Sequence, residues 1–228
     1  RWIENDAPYG NDPAYDTGNG MTQQTAVFSK PDKKTRTAKV EVTYTGKFYD
    51  ARLTYTLYAN GVIDLATDYT VNDGSTRRVG LAMQLPTDMS AVKYYARGPL
   101  ASYVDREDGE YFGIYENTVR GMYEEFAKPQ SGGNRRSMKW LTLTNGDGHG
   151  LRVETLAGNV DFSLSPWDDA TLHTAKHNWE LPASQSTFFH LDAVQKGLGN
   201  TSCGAGVLDK YLIHKGDRHA QTIRFSPF

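Results

Sequence analysis

The sequence predicts an all-β domain in which two large antiparallel sheets pack face to face. Three observations support this: many short segments alternate apolar and polar residues, turn residues separate them at even spacing, and only one segment has a helical pattern. At 228 residues the chain is long enough to bury a core, and β-sandwiches of this size often form one domain. We therefore expect a single domain over residues 1–228.

The predicted elements begin after a loop-rich start. Residues 1–23 are rich in Asn, Pro and Gly with little periodicity, so we expect them to be largely irregular. Alternation then predicts a series of strands, two of which Asn60-Gly61 joins in a hairpin. The predicted strands are 40–44, 53–57, 62–66, 79–85, 92–97, 111–115, 138–144, 151–156, 160–164, 187–194 and 223–225.

One helix is predicted, over residues 168–177. Leu172 and Ala175 would form its buried side, and Asp168 and Asp169 would lie at its positive end. A single short helix excludes a TIM barrel, which needs eight helical segments.

Composition excludes several classes of function. Because 27 acidic residues nearly balance 25 basic ones, no single-sign field is available, and we expect no nucleic-acid partner. No apolar run is long enough to span a bilayer, so we expect no membrane span. The chain starts at Arg1 with neither an initiator Met nor a signal pattern, so we expect it to belong to a longer polypeptide, whose missing start would decide its location.

Two patterns could indicate chemistry but have simpler explanations. His173 and His177 are four residues apart on the predicted helix, a spacing that can present two imidazoles to one metal ion. No third ligand is signalled nearby, so a polar helix face is the favoured interpretation. Cys203, the single cysteine, cannot form an internal disulfide, and its glycine-rich turn lacks the strand-to-helix context of a nucleophile turn. A loop residue lining a cleft is favoured for Cys203.

Other patterns are too common to assign a function. The glycines of residues 197–206 are followed by no helix, which excludes a phosphate-binding loop. Paired acids could form a glycosidase dyad, but spacing in sequence does not give the separation of two carboxyl groups across a sugar. These pairs are Asp105 with Glu107, Glu124 with Glu125, and Asp168 with Asp169.

Four stretches keep the order and spacing of one known domain. Residues 97–106 read R-G-P-L-A-S-Y-V-D-R, similar to R-G-P-x-E-N-Y-x-D-R, and residues 123–140 carry K-P-Q, G-N-R and W in the pattern of Y-x-x-P-Q-E-x-G-N-R-x-x-V-R-W. Residues 175–181 are similar to A-x-H-x-x-E-L, and residues 191–204 to L-D-x-x-Q-x-G-L-G-x-x-S-C-G. Together they resemble the C-terminal, or small-chain, domain of the β-galactosidases of glycoside hydrolase family 2. The resemblance runs over residues 94–208, with a faint echo in residues 1–6.

This resemblance implies a galactose-mutarotase-like supersandwich that acts as an accessory domain. Its loops would reach over the mouth of a TIM-barrel active site, carried elsewhere in the same polypeptide or in a partner subunit, where a β-galactoside binds. The catalytic glutamates and the Mg and Na ions of the family belong to that barrel. The resemblance therefore implies no catalytic residue, metal ligand or cofactor in this chain, and an inactive chain by itself.

The substrate-side residues are also carried over by resemblance. The family's mobile loop corresponds to residues 98–106, here named the lid loop, which contains Gly98, Tyr103, Asp105 and Arg106. The segment that inserts into the galactose site corresponds to residues 197–204, here named the Cys203 turn. There are two departures: Ala101-Ser102 replaces the family's Glu-Asn in the lid loop, and Cys203 stands where some relatives have a sugar-stacking Trp.

Two other functions remain open on the sequence. An aldose mutarotase or epimerase of the same fold would need a His and a carboxylate on one face of the sheet, and His190 with Asp192 is the nearest pair. A carbohydrate-binding module would use exposed aromatics such as Trp167 or Trp179.

Overall fold

A computed structural model describes residues 21–184, 186–201 and 203–228. Within these residues twelve strands form two antiparallel sheets, which confirms the all-β fold class. The strands are β1 (Thr22–Phe28), β2 (Thr37–Thr45), β3 (Tyr49–Tyr58), β4 (Ile63–Val71), β5 (Arg78–Pro86), β6 (Ala91–Gly98), β7 (Tyr111–Thr118), β8 (Trp140–Thr144), β9 (Gly150–Gly158), β10 (Asp161–Ser165), β11 (Ser186–Gln195) and β12 (Arg218–Pro227). The helices are α1 (Val119–Met122) and α2 (Asp169–Thr174), with 3-10 turns at Asn178–Glu180 and Asp209–Tyr211.

The two sheets differ in size. The larger has nine strands in the order β1-β2-β3-β4-β12-β9-β8-β6-β7, and the smaller has three in the order β10-β11-β5. The hairpin of β3 and β4 turns at Asn60-Gly61, where Gly61 has a φ of +85°. Only a residue that tolerates the left-handed region fits there, which is why the Asn-Gly signal located this hairpin correctly.

The core lies between the sheets because alternate side chains of each strand point inward. Leu141, Val153 and Ile223 of the nine-stranded sheet meet Phe162 and Phe189 of the three-stranded sheet, and all five are fully buried. A second cluster continues the core below β3, β4 and β5, with Leu53, Leu65, Tyr69, Val79 and Ile213. Each fully buried aliphatic or aromatic side chain stabilises the fold by about 1.5–3 kcal/mol relative to its exposed state.

The predicted helix over residues 168–177 is wrong in its second half. Asp168 caps the helix as expected, accepting the Thr171 amide at 2.7 Å. The helix stops after Thr174, where the ammonium of Lys128 donates to the carbonyl oxygens of His173 and Ala175. A side chain that satisfies these carbonyls from outside removes the need for another helical turn.

Two further corrections concern elements that the sequence did not signal. Thr22 and Gln23 lie in β1, an edge strand with every residue exposed, and not in the predicted irregular segment. Residues 1–20 of that segment lie outside the described residues. The helix α1 was not predicted; it is a single turn whose first amides are capped by the Thr118 hydroxyl, which accepts from Gly121 at 2.9 Å.

Candidate functional site

The lid loop leaves the end of β6 and is fastened at its middle. Ser102 is fully buried, its amide donates to the Asn134 carbonyl oxygen at 2.8 Å, and its hydroxyl accepts the Arg136 amide at 2.9 Å. Tyr103 beside it is 8% exposed. Leu100, in contrast, is 67% exposed, so the solvent-facing part of the loop is its first half.

Gly98 is buried under two aromatic rings at the start of the loop. A Cβ at this position would lie 3.0 Å from the Tyr94 hydroxyl oxygen and 3.1 Å from the ring of Tyr115. A larger residue would therefore fit tightly here and would require the two tyrosine side chains to shift by a few tenths of an ångström.

Asp105 and Arg106 at the end of the lid loop contact the Cys203 turn directly. The Asp105 carboxylate accepts the Leu198 amide at 3.0 Å and the Gly199 amide at 2.8 Å. Arg106 Nη2 donates to the Gly199 carbonyl oxygen and, at 2.6 Å, to Asn200 Oδ1. The structure thus brings together two segments that lie about ninety positions apart in the sequence.

Cys203 lies at the tip of its turn with an exposed, free thiol. The turn is closed at its base by Asn200, whose amide donates to the Ala205 carbonyl oxygen at 2.9 Å and whose own carbonyl oxygen accepts the Cys203 amide at 3.0 Å. The prediction that Cys203 is a loop residue is confirmed. Contact of Gly98, Tyr103, Asp105, Arg106 or Cys203 with a substrate stays a prediction.

Beside these loops, the face of the three-stranded sheet turned away from the core carries buried charges. Asp161 of β10 lies opposite Asp192 of β11, and the guanidinium of Arg78 in β5 lies 3.2 Å from the Asp192 carboxylate. Arg136 contacts Asp161 at 3.4 Å. Each of these guanidiniums also contacts a second carboxylate, so the two arginines are shared among four acidic side chains.

Burial shifts the pKa values of two side chains on this face in opposite directions. It raises the pKa of Asp192 to about 7, against the attraction of Arg78. It lowers the pKa of His190 to about 3, and the positive charge of Arg78 adds to that lowering. His190 is therefore neutral at physiological pH.

His190 and Asp192 share one face, as expected, but Asp192 is fully buried and accepts a hydrogen bond from Gln195 Nε2 at 2.8 Å. A mutarotase needs its acid and base in contact with a bound sugar. The arrangement therefore favours a structural role for this pair.

The acid pairs singled out in the sequence have structural partners. Glu107 contacts the guanidiniums of Arg97 and Arg136, Glu124 accepts the Gly133 amide, and Glu125 pairs with Arg120. Asp168 caps α2, and Asp169 accepts from the Ser131 hydroxyl at 2.5 Å. Apart from Glu125, whose pair with Arg120 is exposed, each of these carboxylates therefore has a local role in holding the fold.

His173 and His177 do not form the predicted helical pair because α2 ends before His177. Instead the His177 imidazole stacks on the indole of Trp179, with ring centroids 4.1 Å apart and planes 8° from parallel. In the part of the chain that the structure describes, no group of three or more His, Cys, Asp or Glu side chains is placed to hold a metal ion. No helix within the described ranges is long and apolar enough to cross a membrane.

Sequence reasoning missed Asn134 and Asn200, the two amides that receive the lid loop. Both stand within quoted motifs, Asn134 in G-N-R and Asn200 in the glycine-rich stretch. No local pattern predicts their contacts with the lid loop, because Ser102 and Arg106 lie 32 and 94 positions away.

Comparison with known proteins agrees with the motifs. A family model described as Beta galactosidase small chain matches residues 2–225. The β-galactosidase of Halalkalibacterium halodurans is 26% identical over 180 residues, which are 76% of this chain and 18% of that protein. The β-galactosidase of Streptococcus thermophilus is 26% identical over 196 residues, which are 82% of this chain and 19% of that protein. The chain thus spans about a fifth of the length of these relatives.

Among solved structures, galactose 1-epimerase from Lactobacillus acidophilus superposes with a TM-score of 0.40 at 13% identity. The superposition covers 90% of this chain and 67% of that protein.

Proposed function

Because the chain belongs to the β-galactosidase small-chain family, we propose that it is the C-terminal accessory domain of a β-galactosidase-type glycoside hydrolase. It shapes the substrate site of a TIM-barrel catalytic domain that lies outside residues 1–228, in the same polypeptide or in a partner subunit. The observation that carries this proposal is the partial match: most of this chain aligns with 18–19% of each relative, which leaves the rest of the relative to supply the chemistry.

The contact between the lid loop and the Cys203 turn supports this role. Asp105 and Arg106 bring both loops to one place, and the exposed Leu100 side chain and Cys203 thiol are available to a neighbouring domain. Loops held on a rigid sandwich commonly present binding residues to a partner. The substrate is a β-galactoside, and the Mg and Na ions of the family are held in the catalytic part.

The chain alone is inactive in this proposal. Glycoside hydrolysis needs two carboxyl groups on opposite sides of the scissile bond, one of them free to give a proton. The paired acids of this chain instead hold arginines, backbone amides and a helix start.

Hydrolysis of a 4-nitrophenyl β-galactoside tests the proposal. The purified 228-residue chain should give no turnover, whereas the longer polypeptide that carries it should hydrolyse the galactoside. Deleting residues 2–225 from that polypeptide should lower kcat/KM at least about a hundredfold, since correct positioning contributes on this order. Turnover by the chain alone, or full activity after the deletion, would contradict the proposal.

A second function, carbohydrate binding, is favoured by one observation. Trp179 is 80% exposed, and the His177 ring covers one of its faces while the Glu180 carboxylate holds His177 Nδ1 at 2.9 Å. An indole fixed in this way presents a flat apolar face, the kind of surface on which the C–H face of a sugar packs. Trp167 is not such a surface, because it packs edge-on against Tyr123 and donates its N–H to the Pro182 carbonyl oxygen.

Titration with lactose, followed by tryptophan fluorescence, separates this function from the first. If Trp179 binds sugar, the chain alone should show a saturable change that Trp179→Ala abolishes and that Phe228→Ala, at another exposed aromatic, leaves intact. A flat titration would rule out carbohydrate binding by the chain alone.

A further inference from the structure

Two adjacent charged residues of the lid loop bind the amide and the carbonyl oxygen of the same residue, Gly199, in the Cys203 turn. Asp105 accepts the Gly199 amide at 2.8 Å, and Arg106 donates to the carbonyl oxygen of the same residue. Asp105 also accepts the preceding Leu198 amide at 3.0 Å. These are charge-assisted hydrogen bonds, which are roughly twice as strong as neutral ones. Gly199 is therefore fixed by an anion on one side and a cation on the other.

The connection continues from Arg106 to the tip of the turn. The guanidinium donates to Asn200 Oδ1 at 2.6 Å, and the backbone of Asn200 closes the base of the turn through Ala205 and Cys203. The side chain of Asn200 thus binds the lid loop, and its main chain closes the Cys203 turn. A displacement of Arg106 therefore acts on the turn through both Gly199 and Asn200.

Two glycines make the close fit of the loops possible. A Cβ at Gly197 would lie 2.8 Å from Cγ of Asp105, closer than real Cβ contacts allow. Gly199 has a φ of +63°, and a Cβ there would lie 2.8 Å from the Val207 amide nitrogen. Gly197 therefore leaves room for the Asp105 carboxylate, and Gly199 allows the turn to fold back on Val207.

We propose that Asp105 and Arg106 are positioning residues that tie the lid loop to the Cys203 turn, so that the two loops take one joint position at the substrate site. Since their charged atoms are bonded to the turn, we assign them to positioning and not to contact with sugar. The meaning of this link for a β-galactoside rests on the proposed function, but the link itself does not.

Amide hydrogen exchange in the 228-residue chain, followed residue by residue by NMR, tests the link in both directions. Asp105→Asn and Arg106→Lys change the lid loop, and the amides of Leu198 and Gly199 in the turn should exchange at least about tenfold faster. Gly197→Ala changes the turn, and the amides of Tyr103 and Arg106 in the lid loop should likewise exchange at least about tenfold faster. Core amides such as that of Leu141 should keep their protection.

Matched substitutions at exposed positions serve as controls. Asp147→Asn and Arg218→Lys make the same chemical changes away from the loops and should leave all four reporter amides unchanged. The proposal is overturned if each substitution affects only its own loop, or if the controls have the same effect. Arg106→Lys keeps the charge on an exposed residue, so the test stands even where Asp105→Asn unfolds the chain.

No sugar or catalytic domain enters this experiment. Reciprocal exchange effects combined with a failed galactoside assay would leave the link standing and remove the proposed function. If the galactoside assay succeeds but no reciprocal exchange effects appear, the link is rejected and the proposed function stands.

Discussion

Ser102 and Asn134 exchange two hydrogen bonds of equal length: the Ser102 amide donates to the Asn134 carbonyl oxygen at 2.8 Å, and Asn134 Nδ2 donates to the Ser102 carbonyl oxygen at 2.8 Å. Ser102 stands where the family has Asn, and the exchange uses only its backbone, so it does not depend on that side chain. The lid loop is therefore anchored at its midpoint, and mobility is expected only in residues 99–101.

Asn134→Ala should lower the free energy of unfolding by about 2–3 kcal/mol. The side chain is 1% exposed, and its removal leaves the Ser102 carbonyl oxygen and Gln195 Nε2 without these partners in a buried setting. Urea unfolding measures the loss, and amide exchange at Ser102 should quicken. A change below about 0.5 kcal/mol would mean that the anchor contributes nothing to stability.

Asp192→Asn should change how stability depends on pH. Burial raises the pKa of Asp192 to about 7 in the fold, above its ordinary value of 3.8, so the native state binds this proton more tightly than the unfolded chain. Stability from this group is therefore present below pH 3.8 and is lost as the pH rises to about 7, with a slope of at most about 1.4 kcal/mol per pH unit. Because the asparagine side chain does not titrate, the substitution removes this contribution to the pH dependence of stability.

The expected result is that the variant gains stability relative to the parent chain as the pH rises from 4 to 7. Denaturant unfolding of both proteins across this range measures the difference. His190 titrates in the opposite sense, since its lowered pKa makes stability fall as the pH falls below 6.5, and the comparison between the two chains largely removes its effect. A difference that stays constant over the range would show that Asp192 is not held protonated.

Gly80→Ala should destabilise the three-stranded sheet by at least about 2 kcal/mol. A Cβ at Gly80 would lie 2.4 Å from the Leu191 carbonyl oxygen and 2.6 Å from Cα of Asp192, both backbone atoms that cannot move aside. Gly146→Ala is the matched control, because nothing lies within 4 Å of a Cβ there. Equal thermal stability of the two variants would contradict this close approach of β5 and β11.

Periodicity was sufficient to predict most of the fold. Alternation of inward and outward residues predicts the strands that carry Val153 and Ile223, and both side chains are fully buried in the core. The edge strand β1 was missed because every one of its residues is exposed, so no alternation exists to be read. The early end of α2 was missed because its cause, Lys128, lies more than forty positions away.

The candidate site was predictable only where a motif carried it. The glycine-rich stretch and the D-R pair were each visible, and the resemblance placed them on one site. Their actual contact depends on the Asp105 carboxylate filling the space above Gly197, which no local pattern encodes. The contact of Asp192 with Arg78 likewise depends on the register of β5 and β11, which the sequence does not give.

Cys203→Trp should alter substrate affinity far more than stability. The thiol is exposed at the tip of its turn, so a larger side chain can extend into solvent. The free energy of unfolding of the 228-residue chain should change by less than about 0.5 kcal/mol.

In the longer polypeptide of the proposed function, an indole at this position offers a stacking face to the sugar and should lower KM for a β-galactoside about threefold to tenfold. Cys203→Ala is the control, and its KM should stay close to that of the parent. If the Trp variant instead unfolds the chain, the turn is part of the core packing, and its assignment to the substrate site is wrong.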